Sequence, residues 1–209
     1  MLSIAGEPII KLLVDGIHHY IPSASHIINI SHLADKFASL DPCKNSHINL
    51  SFSYENTPVG SVKTLYNLAH KSNFEKDILV IHGDLVLGKE YVEALANILK
   101  NEQHSIIFGH HRLGLAARSS IVLDIHKKVV SFSNEHQLDE AMHIVNSGIY
   151  YFKSQDLRNA YPLALSGEIP DTLVPLLIQK SELECRVIDL PRISIDSIES
   201  LNRAQEFFI

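Results

Sequence analysis

A carboxylate just past the end of a buried strand can hold a metal ion and, through it, phosphates. The stretch Asp77-Ile78-Leu79-Val80-Ile81-His82-Gly83-Asp84 has that form. Its unbroken apolar run reads as a strand buried on both faces, Gly83 lets the backbone turn, and Asp84 then falls at the strand end where open α/β sheets bind ligands. Two roles fit Asp84 from the residues alone: a metal ligand, or a cap on the following turn or helix. His82, two residues earlier, either lines the same pocket or is a satisfied boundary residue. Asp196 raises the same question, since Glu199 could be its capping-box partner. The loop Glu55-Asn56-Thr57-Pro58-Val59-Gly60-Ser61 feeds a helix, with Ser61 suited to its N-cap. Such a loop either presents N–H groups to an anion or is a plain turn.

These residues need a scaffold, and the apolar spacing supplies one. Helical periodicity marks residues 7–21, with Pro8 in the first turn, and the segments around Val62 to Ala69 and Tyr91 to Leu99. A short helix is predicted over 31–40, another over 171–180 and a closing one over 196–208. Strands are predicted over 26–30, 48–54, 78–81, 105–108, 143–152 and 184–190. A hairpin with the polar tip Asp124 to Lys128 is predicted between 120–123 and 129–132. The strand over 143–152 is interrupted by Asn146-Ser147-Gly148. Helices and strands alternate early and a hairpin and long strand follow, which predicts one α/β domain over residues 1–209.

Composition narrows the partners. A net charge of −6 over 209 residues argues against nucleic acid and anionic membrane surfaces, but leaves room for a local basic pocket that takes phosphorylated small molecules. Cys43 and Cys185 are far apart, and residues 1–6 are not a signal peptide, so a cytoplasmic protein with reduced thiols is expected. The histidines include the adjacent pairs His18-His19 and His110-His111, whose rings point to different faces. Helical metal pairs want i, i+4 spacing, so these read as surface or boundary residues. A metal-dependent hydrolase using histidines is correspondingly poorly motivated.

Five stretches in order carry a family likeness: Ala5-Gly6-Glu7-Pro8-Ile9, Glu55 through Ser61, His82-Gly83-Asp84, Val145-Asn146-Ser147-Gly148-Ile149-Tyr150-Tyr151-Phe152, and Ile195 through Leu201. The chain resembles the nucleotidyltransferases that join a nucleoside triphosphate to a sugar 1-phosphate. The resemblance implies a Rossmann-like nucleotidyltransferase fold with a mixed, mostly parallel central sheet. It also implies attack of a sugar-phosphate oxygen on the α-phosphorus, with pyrophosphate leaving. In that frame Asp84 is the Mg²⁺ ligand. Glu55, Gly60 and Ser61 line the base and sugar side, Glu135 contacts the sugar, and Asn146 and Gly148 meet the sugar phosphate.

Departures from the family pattern are equally informative. The family opens with a strand and a glycine-rich, arginine-bearing loop, then a lysine. About two dozen residues of strand, turn and loop would be missing here, as if an internal methionine had been taken as the start. Asn134-Glu135-His136 replaces the usual glutamate-lysine pair. The second metal aspartate aligns with Ser194, and Asp196, two residues on, lies on the same side of an extended segment and could substitute. The expected function is nucleotidyl transfer from a triphosphate to a sugar 1-phosphate or similar molecule, impaired in this chain. The alternative is a non-catalytic relative acting as a nucleotide-sugar-binding or partner subunit. Homo-oligomerisation stays open.

Overall fold

The computed structural model describes residues 2–30, 48–113, 119–135 and 139–207, so the helix predicted over 31–40 lies outside the described residues. In chain order come β1 (Ser3–Ile4), β2 (Glu7–Pro8), α1 (Ile9–Tyr20), β3 (His26–Ile30), β4 (Leu50–Tyr54), α2 (Ser61–Lys71), β5 (Ile78–Ile81), β6 (Leu85–Leu87) and α3 (Lys89–Leu99). There follow β7 (Ser105–Leu113), β8 (Ser120–Leu123), β9 (Val129–Ser133), β10 (Met142–Phe152) and α4 (Ser154–Ala160). A π-helical turn (Ile169–Leu173) then runs into α5 (Val174–Gln179), and β11 (Leu183–Val187), β12 (Arg192–Ser194) and α6 (Ile198–Phe207) end the chain. These residues form two compact units that alternate along the sequence.

The first unit comprises Met1–Pro58, His82–Asn101 and Leu190–Ile209. Its strands pair two by two: β1 with β2 and β6 with β12 antiparallel, β3 with β4 parallel. The β1–β2 hairpin turns on Ala5 and Gly6, both at positive φ. Pro8, expected in the first helical turn, instead closes β2 and stands at the N-cap of α1. From α1, Ile9 joins Ile4, Val86 and Ala204 in the core. The apolar stripe of α3 is Tyr91, Val92, Leu95 and Ala96, all buried.

The second unit, Val59–Ile81 with Glu102–Asp189, is built on a six-stranded sheet in the order β11-β7-β10-β8-β9, with β5 also bonded to β10. The predicted mixed sheet is present, with a smaller parallel share than expected. Among the described pairings only β3–β4 and β7–β11 are parallel. The reason lies in the connections: parallel strands need a long crossover, whereas β8 returns to β9 through a short polar tip. In that tip Asp124 Oδ1 accepts from the N–H groups of His126 (2.8 Å) and Lys128 (2.9 Å). The core of this unit gathers Val62, Leu65 and Tyr66 of α2, Tyr150 and Phe152 of β10, Leu173 of the π-helical turn, and Val174 and Leu177 of α5. Cys185 is buried there with its thiol pushed up to about 12 by burial, which makes it inert.

Asp77 fastens the start of β5 to the end of β10. Its carboxylate accepts from Tyr151 Oη (2.8 Å), Lys153 Nζ (2.6 Å) and the Ser154 N–H (2.8 Å). Burial raises this carboxyl's pKa, but those three donors outweigh it and hold the group below its ordinary value. A depressed carboxylate stabilises the fold above its unfolded pKa and ceases to do so as pH falls through the folded one. Asp77→Asn is therefore expected to cost about 1.5–3 kcal/mol at pH 7 and to flatten the loss of stability below pH ~4. Urea midpoints measured from pH 3 to 7 check both; a parallel offset at every pH would contradict the titration.

Candidate functional site

The residues singled out from sequence fall in both units, and each group has its own geometry. In the first unit, Asp84 sits immediately before β6 and is exposed. β6 pairs with β12 so that Ser194 faces Leu85, and the ladder continues with Ile195 N–H donating to the Asp84 carbonyl (2.9 Å). Ser194 Oγ donates to Asp84 Oδ2 at 3.0 Å. The position at which a second carboxylate was sought thus carries a hydroxyl bound to the first. Asp84 is not a helix cap: α3 begins at Lys89 after Gly88.

Asp196 is exposed, one residue beyond this ladder. Its predicted capping-box role belongs to other side chains. Ser197 Oγ accepts from the Ser200 N–H (3.1 Å), and Ser200 Oγ accepts from the N–H groups of Ser197 (3.0 Å) and Asp196 (3.1 Å). A serine pair spaced by three residues closes the first turn of α6, which leaves the Asp196 side chain out of the cap. Glu55, half-buried, extends the parallel β3–β4 pair through its N–H to the Ile30 carbonyl (2.9 Å).

Among the described residues no three His, Cys, Asp or Glu side chains converge to hold a metal ion. Magnesium does not need such a cage. It is commonly bound through one or two carboxylates plus substrate phosphates, with oxygen ligands only. Asp84 with Ser194 is an all-oxygen pair at a strand end, and its donor chemistry fits an ion that arrives with phosphates.

In the second unit the expected residues gather around a bulge in β10. Gly109 of β7 pairs with Asn146 and Ile107 with Tyr150, so β10 advances four positions while β7 advances two. The extra residues are absorbed at Asn146-Ser147-Gly148, where Gly148 has φ +73°. The Asn146 side chain clamps this bulge: Oδ1 accepts from the Gly148 N–H (2.9 Å), and Nδ2 donates to Tyr150 Oη (2.5 Å). Burial, together with Asp171, pushes the Tyr150 hydroxyl up to about 12 against the Asn146 bond, so it stays neutral. His110 Nδ1 lies 3.2 Å from Ser147 Oγ.

Glu135 is exposed, its N–H donating to Ser133 Oγ (3.2 Å). Its neighbour Asn134 is the residue bound into the network, accepting from Ser119 Oγ (2.9 Å) and donating to Asp171 Oδ1. Ser119 in turn accepts the Asn146 N–H on its carbonyl (2.9 Å). Ser119, Asn134, Asp171 and Tyr150 are site neighbours that spacing did not disclose.

Gly60, with φ +88°, precedes α2, and Ser61 is the first helical residue rather than the cap. The N-terminus of α2 already faces an anion. Glu168 Oε2 accepts from Ser61 Oγ (2.6 Å) and from the Ser61 N–H (3.3 Å), a charge arrangement the helix dipole favours. Ser61 Oγ also accepts the Ile169 N–H (2.8 Å), and Val62 N–H donates to the Gly167 carbonyl (3.0 Å). Gly167 before an acidic residue was the one visible hint, since glycine tolerates the φ of +101° found there.

A family model described as nucleotidyl transferase matches residues 1–185. Among solved structures, HddC from Yersinia pseudotuberculosis superposes with a TM-score of 0.76 at 22% identity, covering 100% of this chain and 89% of that one. The same protein complexed with GMP-PN gives 0.75 at 22% identity, with coverage of 100% and 89%. A putative glucose-1-phosphate thymidylyltransferase from Bacillus anthracis, in complex with a sucrose, gives 0.74 at 15% identity, covering 99% and 84%. At these identities the likeness is one of fold. A comparison with curated proteins finds no match. No helix among the described residues is long and apolar enough to cross a membrane.

The closest backbone approach at this site gives a direct test. A Cβ on Gly60 would meet the Gly167 carbonyl oxygen at 2.8 Å, and φ is already in the left-handed region. Gly60→Ala is expected to cost about 1–3 kcal/mol, read from the denaturation midpoint, whereas a variant as stable as the parent would contradict this contact.

Proposed function

Since the chain belongs to the nucleotidyl transferase family, we propose that it joins a nucleoside triphosphate to a sugar 1-phosphate or a similar phosphorylated small molecule. A phosphate oxygen of the acceptor forms a bond to the α-phosphorus. The bond from that phosphorus to the bridging oxygen breaks, and pyrophosphate leaves with the electron pair. The observation that carries the reading is Asp84, an exposed carboxylate beside β6 oriented by Ser194 at 3.0 Å. Mg²⁺, when bound, would be held by Asp84 with Ser194 and Asp196 as further candidate oxygen donors, and would supply charge neutralisation on the phosphates. The HddC complex with GMP-PN and the sucrose complex of the thymidylyltransferase-like structure support nucleotide and sugar as the ligand classes.

The chain's own groups have positioning work. The clamp made by Asn146 holds Gly148 at a φ where a side chain is strained, which suits close approach of a sugar phosphate. Glu55 of the first unit, and Gly60, Ser61 and Glu135 of the second, are further proposed substrate-binding residues. A cytoplasmic location is part of the reading, supported by two widely separated cysteines.

One observation favours the second reading, a relative that binds nucleotide sugars or a partner without turnover. The N-terminus of α2 is filled by Glu168 and so does not stand open to a phosphate. A panel of triphosphates against sugar 1-phosphates, followed by pyrophosphate release, separates the two. Turnover that falls about 10–100-fold or more in Asp84→Ala supports transfer. Saturable nucleotide-sugar binding with no pyrophosphate supports the binding subunit. Ser194→Asp, which places a second carboxylate opposite Asp84, is expected to lower the Mg²⁺ concentration for half-maximal effect by about tenfold. Unchanged Mg²⁺ dependence in both variants would locate the ion elsewhere.

A further inference from the structure

The π-helical turn adds a carboxylate to the network around Asn146. Ile169 and Leu173 are both buried in the core of the second unit, while Asp171 between them is exposed. A π-helical turn of this kind is frequent at functional sites. As an acidic residue in the first turn, Asp171 also suits the helix dipole, but its bonding reaches well beyond its own turn. Oδ1 accepts from Asn134 Nδ2, and Asn134 Oδ1 accepts from Ser119 Oγ (2.9 Å). The Ser119 carbonyl then accepts the Asn146 N–H (2.9 Å). The carboxylate is thus tied, link by link, to the bulge where a sugar phosphate is proposed to sit.

This arrangement presents a matched pair of hydrogen-bonding groups. Among the described residues no Lys or Arg pairs with Asp171, and Asn134 engages one of its two oxygens. A carboxylate only accepts, whereas an amide NH2 has two hydrogens to donate, one of them here directed at Asp171. Asp171 Oδ2 and the second Nδ2 hydrogen of Asn134 therefore offer an acceptor and a donor on adjoining exposed side chains. A hydroxyl gives and takes a hydrogen bond and satisfies both at once. An ammonium group would leave the amide unused, and a second phosphate would be repelled by the carboxylate.

We propose that Asp171 and Asn134 hold a ring hydroxyl of the acceptor sugar, which makes Asp171 a specificity-determining residue that selects hydroxylated sugar 1-phosphates. The proposal rests on the reading of Asn146 and Gly148 as the sugar-phosphate site. The bond to a charged acceptor is of the stronger kind, so its loss is readable in affinity.

The test is calorimetry on the full chain with MgCl2 and the 1-phosphates of glucose, mannose and galactose, with pyrophosphate release followed in parallel beside the four nucleoside triphosphates. The tightest-binding sugar is then compared with its deoxy analogues in the wild type, Asp171→Leu, Asp171→Asn and the control Glu75→Gln, an exposed carboxylate of the same unit. Affinity is expected to fall about tenfold or more in Asp171→Leu, by less in Asp171→Asn, which keeps one accepting oxygen, and not at all in Glu75→Gln. One deoxy analogue should bind the wild type as weakly as the parent sugar binds Asp171→Leu, and that variant should cost this analogue nothing further. A merely structural role would weaken every analogue alike. Binding that depends on Asp171 without any pyrophosphate leaves the assignment standing and removes the transfer reading. Pyrophosphate release with the acceptor KM unaltered in both Asp171 variants does the reverse. No binding of any of the three sugars, or an equal penalty from Asp171→Leu for all analogues, overturns the proposal. Should the variants unfold, the deoxy series on the wild type decides: a tenfold loss confined to one analogue is the expected result, and uniform binding is the contrary one.

Discussion

The second unit depends on a mismatch in strand length. β10 bonds to β7, β5 and β8, and between Asn146 and Tyr150 it contains more residues than β7 has opposite them. An antiparallel ladder can absorb such an excess only by pushing residues out of the pairing plane, which leaves their backbone groups in need of other partners. Asn146 meets that need with its own amide, and Tyr150 supplies the next link. From there the network runs through Ser119 and Asn134 to Asp171, so loops that are remote in sequence take their positions from one irregular strand.

The first unit solves a smaller problem with the same economy. β6 and β12 are three residues each and would be marginal as an isolated pair. They are extended by the Ile195 to Asp84 bond and flanked by the helix that Ser197 and Ser200 cap. A carboxylate placed there is held by the ladder on its backbone side and by a hydroxyl on its side-chain side. Its orientation is a property of the sheet rather than of a loop.

Much of the scaffold was legible because burial imposes period. The stripes of α1, α2 and α3 and the Asp124–Lys128 tip lie where the spacing put them, and β5 falls at its predicted residues, although it is half-buried throughout and pairs antiparallel with β10 instead of being a strand buried on both faces. The long β10 strand was also visible, down to the interruption at Asn146-Ser147-Gly148. Strands of two or three residues, β1, β2, β6 and β12, carry too few positions for any period to show. The segment over 171–180 resolved into a π-helical turn followed by α5, because Pro175 lacks the N–H that a continuous helix would use. At the site, local rules found the single residues but not their partners. Nothing near Ser61 announces Glu168, nothing near Glu135 shows that Asn134 is the bonded neighbour, and Asp196 with Glu199 mimicked a cap that two serines make. Partners brought together by tertiary structure leave no mark on sequence spacing, and that is the share that was unreadable.

The glycine pair at Gly60 and Gly167 has a bearing on the order of assembly. The bond from Ser61 to Glu168 spans 107 positions. During synthesis the first turn of α2 therefore emerges long before the group that completes it. Until the chain has grown past the π-helical segment, that turn has only water for company, and α2 must wait for its final docking. Native contacts of such separation in sequence close slowly. The first turn of α2 therefore gains its last partner only once residue 168 has been made.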